Sequence, residues 1–174
     1  MASHTPDALR REAERLLEVA GVSRAPVRLR DVISALNLSL VQSRREPFSS
    51  EAALAPLGEG FAIEVRGGGN ERRRRFTIAH EIGHFVLHDG RPLYERGGPV
   101  NEASRRLERE ADAFAAELLM PEHLVRQAAL EEGADPHLLA DRFEVSVQAM
   151  SIRLRRLGLA ERQSELLPPS RDVF

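Results

Sequence analysis

Apolar residues recur at helical spacing near the start of the chain, where Ala8, Leu9, Ala13, Leu16, Leu17 and Ala20 share one face. The pattern predicts a helix over 6–20, stopped by Gly21. "RLRDVISALNL" predicts a second short helix that ends near Asn37. Three short runs follow, "LSLVQS", "AALAPL" and "GFAIEVR", set apart by Pro and Gly and read as strands. "GGGN" at 67–70 turns the chain and places Asn70 to cap a helix from Glu71 to about Leu87. "HDGRPLYERGGPV" reads as a loop, and Asn101 as the cap of a helix running to Met120. Pro121 opens a further helix, and two more helical segments lie between His137 and Leu159. The last residues are polar and interrupted by Pro. The order is α-α-β-β-β-α-α followed by smaller helices. It predicts an α+β fold with a small, mainly antiparallel sheet packed on helices.

Composition narrows the chemistry. The chain has 174 residues, 42% of them apolar, enough for a real core without covalent staples. It has no cysteine, which excludes disulfides, thiolate zinc sites and a cysteine nucleophile. All 25 basic residues are arginine, so no lysine is present for Schiff-base or phosphate-loop chemistry. A net charge of −2 exerts no global pull toward nucleic acid. No run approaches the roughly 20 apolar residues of a membrane span. The charged, amphipathic start lacks a signal-like apolar core, so a cytoplasmic location is expected.

The chemistry concentrates in "FTIAHEIGHFVLH", Phe76 to His88. His80, Glu81 and His84 spell His-Glu-x-x-His. Residues four apart on a helix lie one above the other, so two imidazoles can meet one metal ion. Glu81, beside the first histidine, can then reach a water on that metal and take its proton. Ile78, Ala79, Ile82, Phe85 and Val86 make the helix mostly apolar, and Gly83 suggests a close neighbour. His88 ends the helix, where a charged cap suits the dipole better than a ligand role. A catalytic zinc takes three protein ligands and an open position.

Without cysteine, the third ligand comes from an acid or another histidine. The next helix offers Glu102, Glu108, Glu110 and Glu117. Leu107, Ala111, Phe114, Ala115 and Leu118 mark its core stripe, with Glu108 and Asp112 on one flank. Glu110, Glu117 and Arg106 fall elsewhere and read as solvated. Glu108 is therefore the preferred ligand, with Asp112 fixing a ligand histidine from behind. Zinc is the expected metal, one per chain, although Mn2+ or Fe2+ also suits two histidines and a carboxylate.

"RRFTIAHEIGHFVLH" followed by "EREADAFAAELLMP" resembles the ImmA/IrrE family of bacterial metallopeptidases. The likeness runs over about residues 25–125. It implies a thermolysin-like core with a small sheet on the His-Glu-x-x-His helix. It also implies His80, His84 and Glu108 as zinc ligands, Glu81 as general base and Asp112 as the acid orienting the first histidine. The implied substrate is a helix-turn-helix repressor of the phage type, whose cleavage relieves repression of stress, phage or mobile-element genes. Two residues are candidates to stabilise the oxyanion: Tyr94, on the loop between the two helices, and His123, after the "LLMP" turn. The ordinary reading of each is structural or solvated.

Residues 137–159 read as a helix-turn-helix, with Glu144 and Val145 in the turn and Ser146 capping the second helix. Val147 and Gln148 would stand where such motifs touch bases, and Arg153, Arg155 and Arg156 add charge. Asp141 and Glu144 oppose phosphate, which favours a scaffold or protein-facing role. The expected organisation is a peptidase domain over 1–125, a helical region over 126–160 and a tail over 161–174. Two alternatives remain: a DNA-binding regulator with a structural or sensory metal, and a protein that captures a repressor without cutting it.

Overall fold

The computed structural model describes residues 4–42, 52–66, 68–88 and 102–160. Among these, the elements run α1 (Pro6–Val19), α2 (Leu29–Ala35), β1 (Ser39–Gln42), β2 (Ala52–Leu57), β3 (Gly60–Val65), α3 (Glu71–Leu87), α4 (Glu102–Leu119), α5 (Glu122–Glu132), α6 (Pro136–Phe143) and α7 (Val147–Arg156). Side-chain caps set several of the starts. Thr5, Asn70, Asp135 and Ser146 each accept a backbone N–H from the first turn of the helix that follows.

The sheet corrects one expectation: it is mixed rather than mainly antiparallel. Its order is β1-β3-β2, with β1 parallel to β3 and β2 antiparallel to it. Gly58, at φ +60, opens the two-residue turn of the β2–β3 hairpin, which wants a left-handed first residue. The β1–β3 pairing joins strands distant in sequence, and no local pattern sets its direction. β2 is an edge strand, and Pro56 sits in it without a ladder donor.

α3 has no clean apolar stripe because it is covered on several sides. α4 packs along one, and β2, β3 and α2 pack on others. Ile78, Ala79 and Ile82 are buried from it, and Phe114, Ala115, Leu118 and Leu119 from α4. One core cluster takes in residues from α1 through α7, so the helices after residue 125 share it with those before. α1 lies against the other flank of α4.

The four-arginine run at 72–75 is largely engaged. Arg75 donates to the Val27 carbonyl at 2.9 Å and pairs with Glu144 at 3.1 Å, tying the entry of α3 to both α2's leader and the α6–α7 turn. Arg72 bonds Asp141, and Arg74 bonds Glu71. Arg153 is a second correction. It is 5% exposed and forms a two-pronged bond to Glu117, both contacts at 2.5 Å, plus a 2.9 Å bond from Nε to the Met120 carbonyl. It is a strut between α7 and α4, and Glu117 is its counter-ion rather than a solvated acid. Ile152, on the same helix, faces out.

Candidate active site

His80 and His84 lie one turn apart on α3, and α4 carries Glu108 directly across from them. Their Nε2 atoms are 2.9 Å apart. His80 Nε2 is 3.3 Å from Glu108 Oε2, and His84 Nε2 is 3.4 Å from Oε1. Ligand atoms around a tetrahedral zinc, at bond lengths near 2.0–2.1 Å, stand about 3.3 Å apart. The two histidine–carboxylate edges meet that spacing, and the histidine–histidine edge is shorter.

The donor chemistry points the same way. His80 Nδ1 lies 2.8 Å from Asp112 Oδ1, which can only accept when ionised. The ring's hydrogen therefore belongs on Nδ1, and its Nε2 lone pair faces His84 and Glu108. Three acceptors converging on one point call for a cation between them. Burial works against charge on His80, yet the Asp112 and Glu108 carboxylates outweigh it and lift the ring to about 9. With no metal bound a proton takes the place of the cation, and the hydrogen bonds that His80 and His84 then donate hold the Glu108 carboxyl down at about 2. The residues present fit a divalent metal.

Glu81 stands beside this cluster and does not join it. Its Oε2 accepts the Leu54 N–H at 3.0 Å. That N–H points off the edge of β2 away from β3, which no described strand pairs, so the carboxylate is held against the rim of the sheet. Burial pushes the Glu81 carboxyl up from the ordinary carboxylate range, against the Leu54 hydrogen bond and the two histidines.

The close approach of α3 and α4 rests on Gly83. A methyl group there would lie 3.2 Å from the Ala111 Cα and carbonyl oxygen and from Phe114 Cδ1. Two of those atoms are backbone and yield little. Gly83→Val is expected to cost about 1–3 kcal/mol by overpacking. Because Glu108 rides on the displaced helix, the same change should weaken metal binding. Thermal denaturation and a chelator competition check both, and an unchanged melting temperature would contradict this packing.

Two expectations fail here, both on flanks that another element covers. Glu110 is 6% exposed, buried where α1 docks on α4, and not solvated. His88 is 2% exposed, and burial lowers its pKa, so it closes α3 as a neutral ring and not as a charged cap. Its Nδ1 lies 3.0 Å from His84 Nδ1. Glu110 Oε2 lies 2.7 Å from His4 Nδ1 and 3.5 Å from His88 Nε2. The His4–Glu110–His88 group was not anticipated, since only the docking of α1 assembles it. Of the oxyanion candidates, His123 is exposed on the first turn of α5, and Tyr94 lies outside the described residues, as does Asn101.

The family comparison decides the affiliation. The IrrE N-terminal-like domain, a peptidase family, matches residues 63–155, more than half of the chain. The chain belongs to this family. The matched span runs from β3 through most of α7 and holds every residue of the His80–His84–Glu108 cluster, with Glu81 and Asp112. Metallopeptidase ImmA of Bacillus subtilis (strain 168) is 27% identical over 90 residues, which cover 51% of this chain and 53% of that protein. A solved structure of a Mycobacterium tuberculosis transcriptional regulator is similar with a TM-score of 0.65 at 20% identity, over 84% of this chain and 46% of that one. This likeness shows the fold alone. The chain spans about half the length of both relatives. The family points to a metallopeptidase and thus to a divalent metal. No helix among the described residues is long and apolar enough to cross a membrane.

Proposed function

We propose that the protein is a zinc-dependent endopeptidase that cleaves a helix-turn-helix transcriptional repressor. The observation that carries the catalytic part is the placement of Glu81. A half-buried carboxylate with a raised pKa stands next to three converging metal donors and against a strand edge that no described strand pairs. His80, His84 and Glu108 would hold the metal, with Asp112 orienting His80. When bound, the metal supplies Lewis acidity, lowering the pKa of a water and polarising a peptide carbonyl. Glu81 takes the proton of the attacking water and returns it to the leaving amine, which its raised pKa favours.

This edge of β2, which no described strand pairs, can take an extended substrate through main-chain hydrogen bonds. A groove of about 620 Å³ runs from Asp112 past Phe76 and Ala116 to Ile152 and Arg156, giving a folded substrate a second surface. In this reading the core is thermolysin-like, residues 1–125 are the peptidase unit, and residues 126–160 act as a protein-facing scaffold. The repressor as substrate rests on the resemblance to ImmA-type proteins, and cytoplasmic action on the nature of such a substrate.

The DNA-binding alternative is weakened by Arg153, whose charge is spent inside the protein on Glu117, leaving Arg155 and Arg156 exposed. The test is co-expression with any helix-turn-helix repressor found encoded beside its gene, followed by mass spectrometry. Fragments from one or a few peptide bonds are expected. Intact repressor beside fully metallated protein under inducing conditions would sink the proposal.

A further inference from the structure

We propose that His88 and Glu110 are positioning residues behind the metal centre, fixing His84 in the tautomer that a metal ligand needs. The inference rests on the reading of His80, His84 and Glu108 as a metal site. The Nδ1 atoms of His84 and His88 face each other at 3.0 Å in a buried contact. One hydrogen belongs in that contact, on one ring or the other. His84 Nε2 points at Glu108 and His80 Nε2, so its lone pair is needed there. The hydrogen therefore sits on His84 Nδ1, and His88 Nδ1 accepts it.

That assignment dictates the next atom. With its Nδ1 accepting, His88 carries its hydrogen on Nε2. This atom is enclosed and has no hydrogen bond of ordinary geometry, and Glu110 Oε2 lies 3.5 Å away. The Glu110 carboxylate is itself held by His4, through Nδ1 at 2.7 Å and the backbone N–H at 3.4 Å, with Arg106 Nε 3.7 Å from its other oxygen. Each ligand histidine thus has an acid behind it, Asp112 directly for His80 and Glu110 through His88 for His84. Glu108, Glu110 and Asp112 occupy alternate positions of α4, and that helix supplies the ligand and both supports.

The same geometry decides against a second metal. His4, His88 and Glu110 bring donor atoms within 4.8 Å of one another, as a metal site would. A metal there needs the His88 Nε2 lone pair, which moves the hydrogen to His88 Nδ1. His84 would then accept at Nδ1 and present Nε2–H to His80 and Glu108. The two sites exclude one another, and the chain should bind one metal.

Nitrogen-15 NMR of histidine-labelled, zinc-loaded wild type tests the tautomers directly. His84 as the Nδ1–H form and His88 as the Nε2–H form are expected. His88→Phe and Glu110→Gln should each lower zinc affinity about 10- to 100-fold in a chelator competition, as loss of an outer partner does. His88→Gln, which keeps an acceptor and a donor, should recover much of the loss. One bound zinc with His88 as Nδ1–H, two zinc ions per chain, or wild-type affinity in folded His88→Phe would each overturn the relay. A wild type that binds no zinc would overturn the peptidase reading together with it.

Discussion

Glu81→Gln is expected to leave the protein folded and metal-loaded while lowering peptide-bond cleavage about 10²- to 10⁴-fold, the usual contribution of a positioned general base. The amide keeps the shape of the side chain, and its oxygen can still accept the Leu54 N–H now bound at 3.0 Å. It cannot take a proton from water. Glu81 stands beside the metal donors and outside their cluster, so metal content should not change. Cleavage rate and metal content measured on the same preparations make the comparison. Loss of metal in Glu81→Gln would mean that the residue is a ligand, and retained cleavage would remove it from the chemistry.

Arg153→Ala is expected to destabilise the fold strongly. Removing one partner of a buried ion pair costs about 3–5 kcal/mol, because the other charge is left uncompensated. Here the Glu117 side chain is 19% exposed, which puts the cost toward the lower end of that range. The bond from Arg153 Nε to the Met120 carbonyl is lost as well. Exposed Arg155→Ala should stay within about 0.5 kcal/mol. Replacing both partners with apolar residues, Arg153→Met with Glu117→Leu, should recover much of the loss. Chemical denaturation measures all three. A mild Arg153→Ala, no worse than Arg155→Ala, would contradict the strut and return this arginine to the surface role expected of a DNA-binding face.

What was legible in the sequence was what short spacing encodes. His80 and His84 are four apart, as are Glu108 and Asp112, and helical geometry alone lines up each pair. The close approach of the two helices was foreshadowed by Gly83, whose missing side chain meets the Ala111 backbone. What escaped was set by a third element. Glu110 and Glu117 look solvated on an isolated α4, but α1 buries the first and Arg153 of α7 engages the second. His88 looks like an exposed cap until α1 brings His4 and α4 brings Glu110 to its ring. The parallel pairing of β1 with β3 depends on a crossover that carries no local signal. In each case the helix or strand was read correctly and its outer neighbour was not.

The central claim is that α3 and α4 together hold one metal ion with Glu81 beside it. A crystal structure of the zinc-loaded protein, with anomalous data on both sides of the zinc edge, tests it most directly. One peak is expected, bound by His80 Nε2, His84 Nε2 and Glu108, and none at His4, His88 and Glu110. A peak at the second group, or ligands that leave out Glu108, would contradict it.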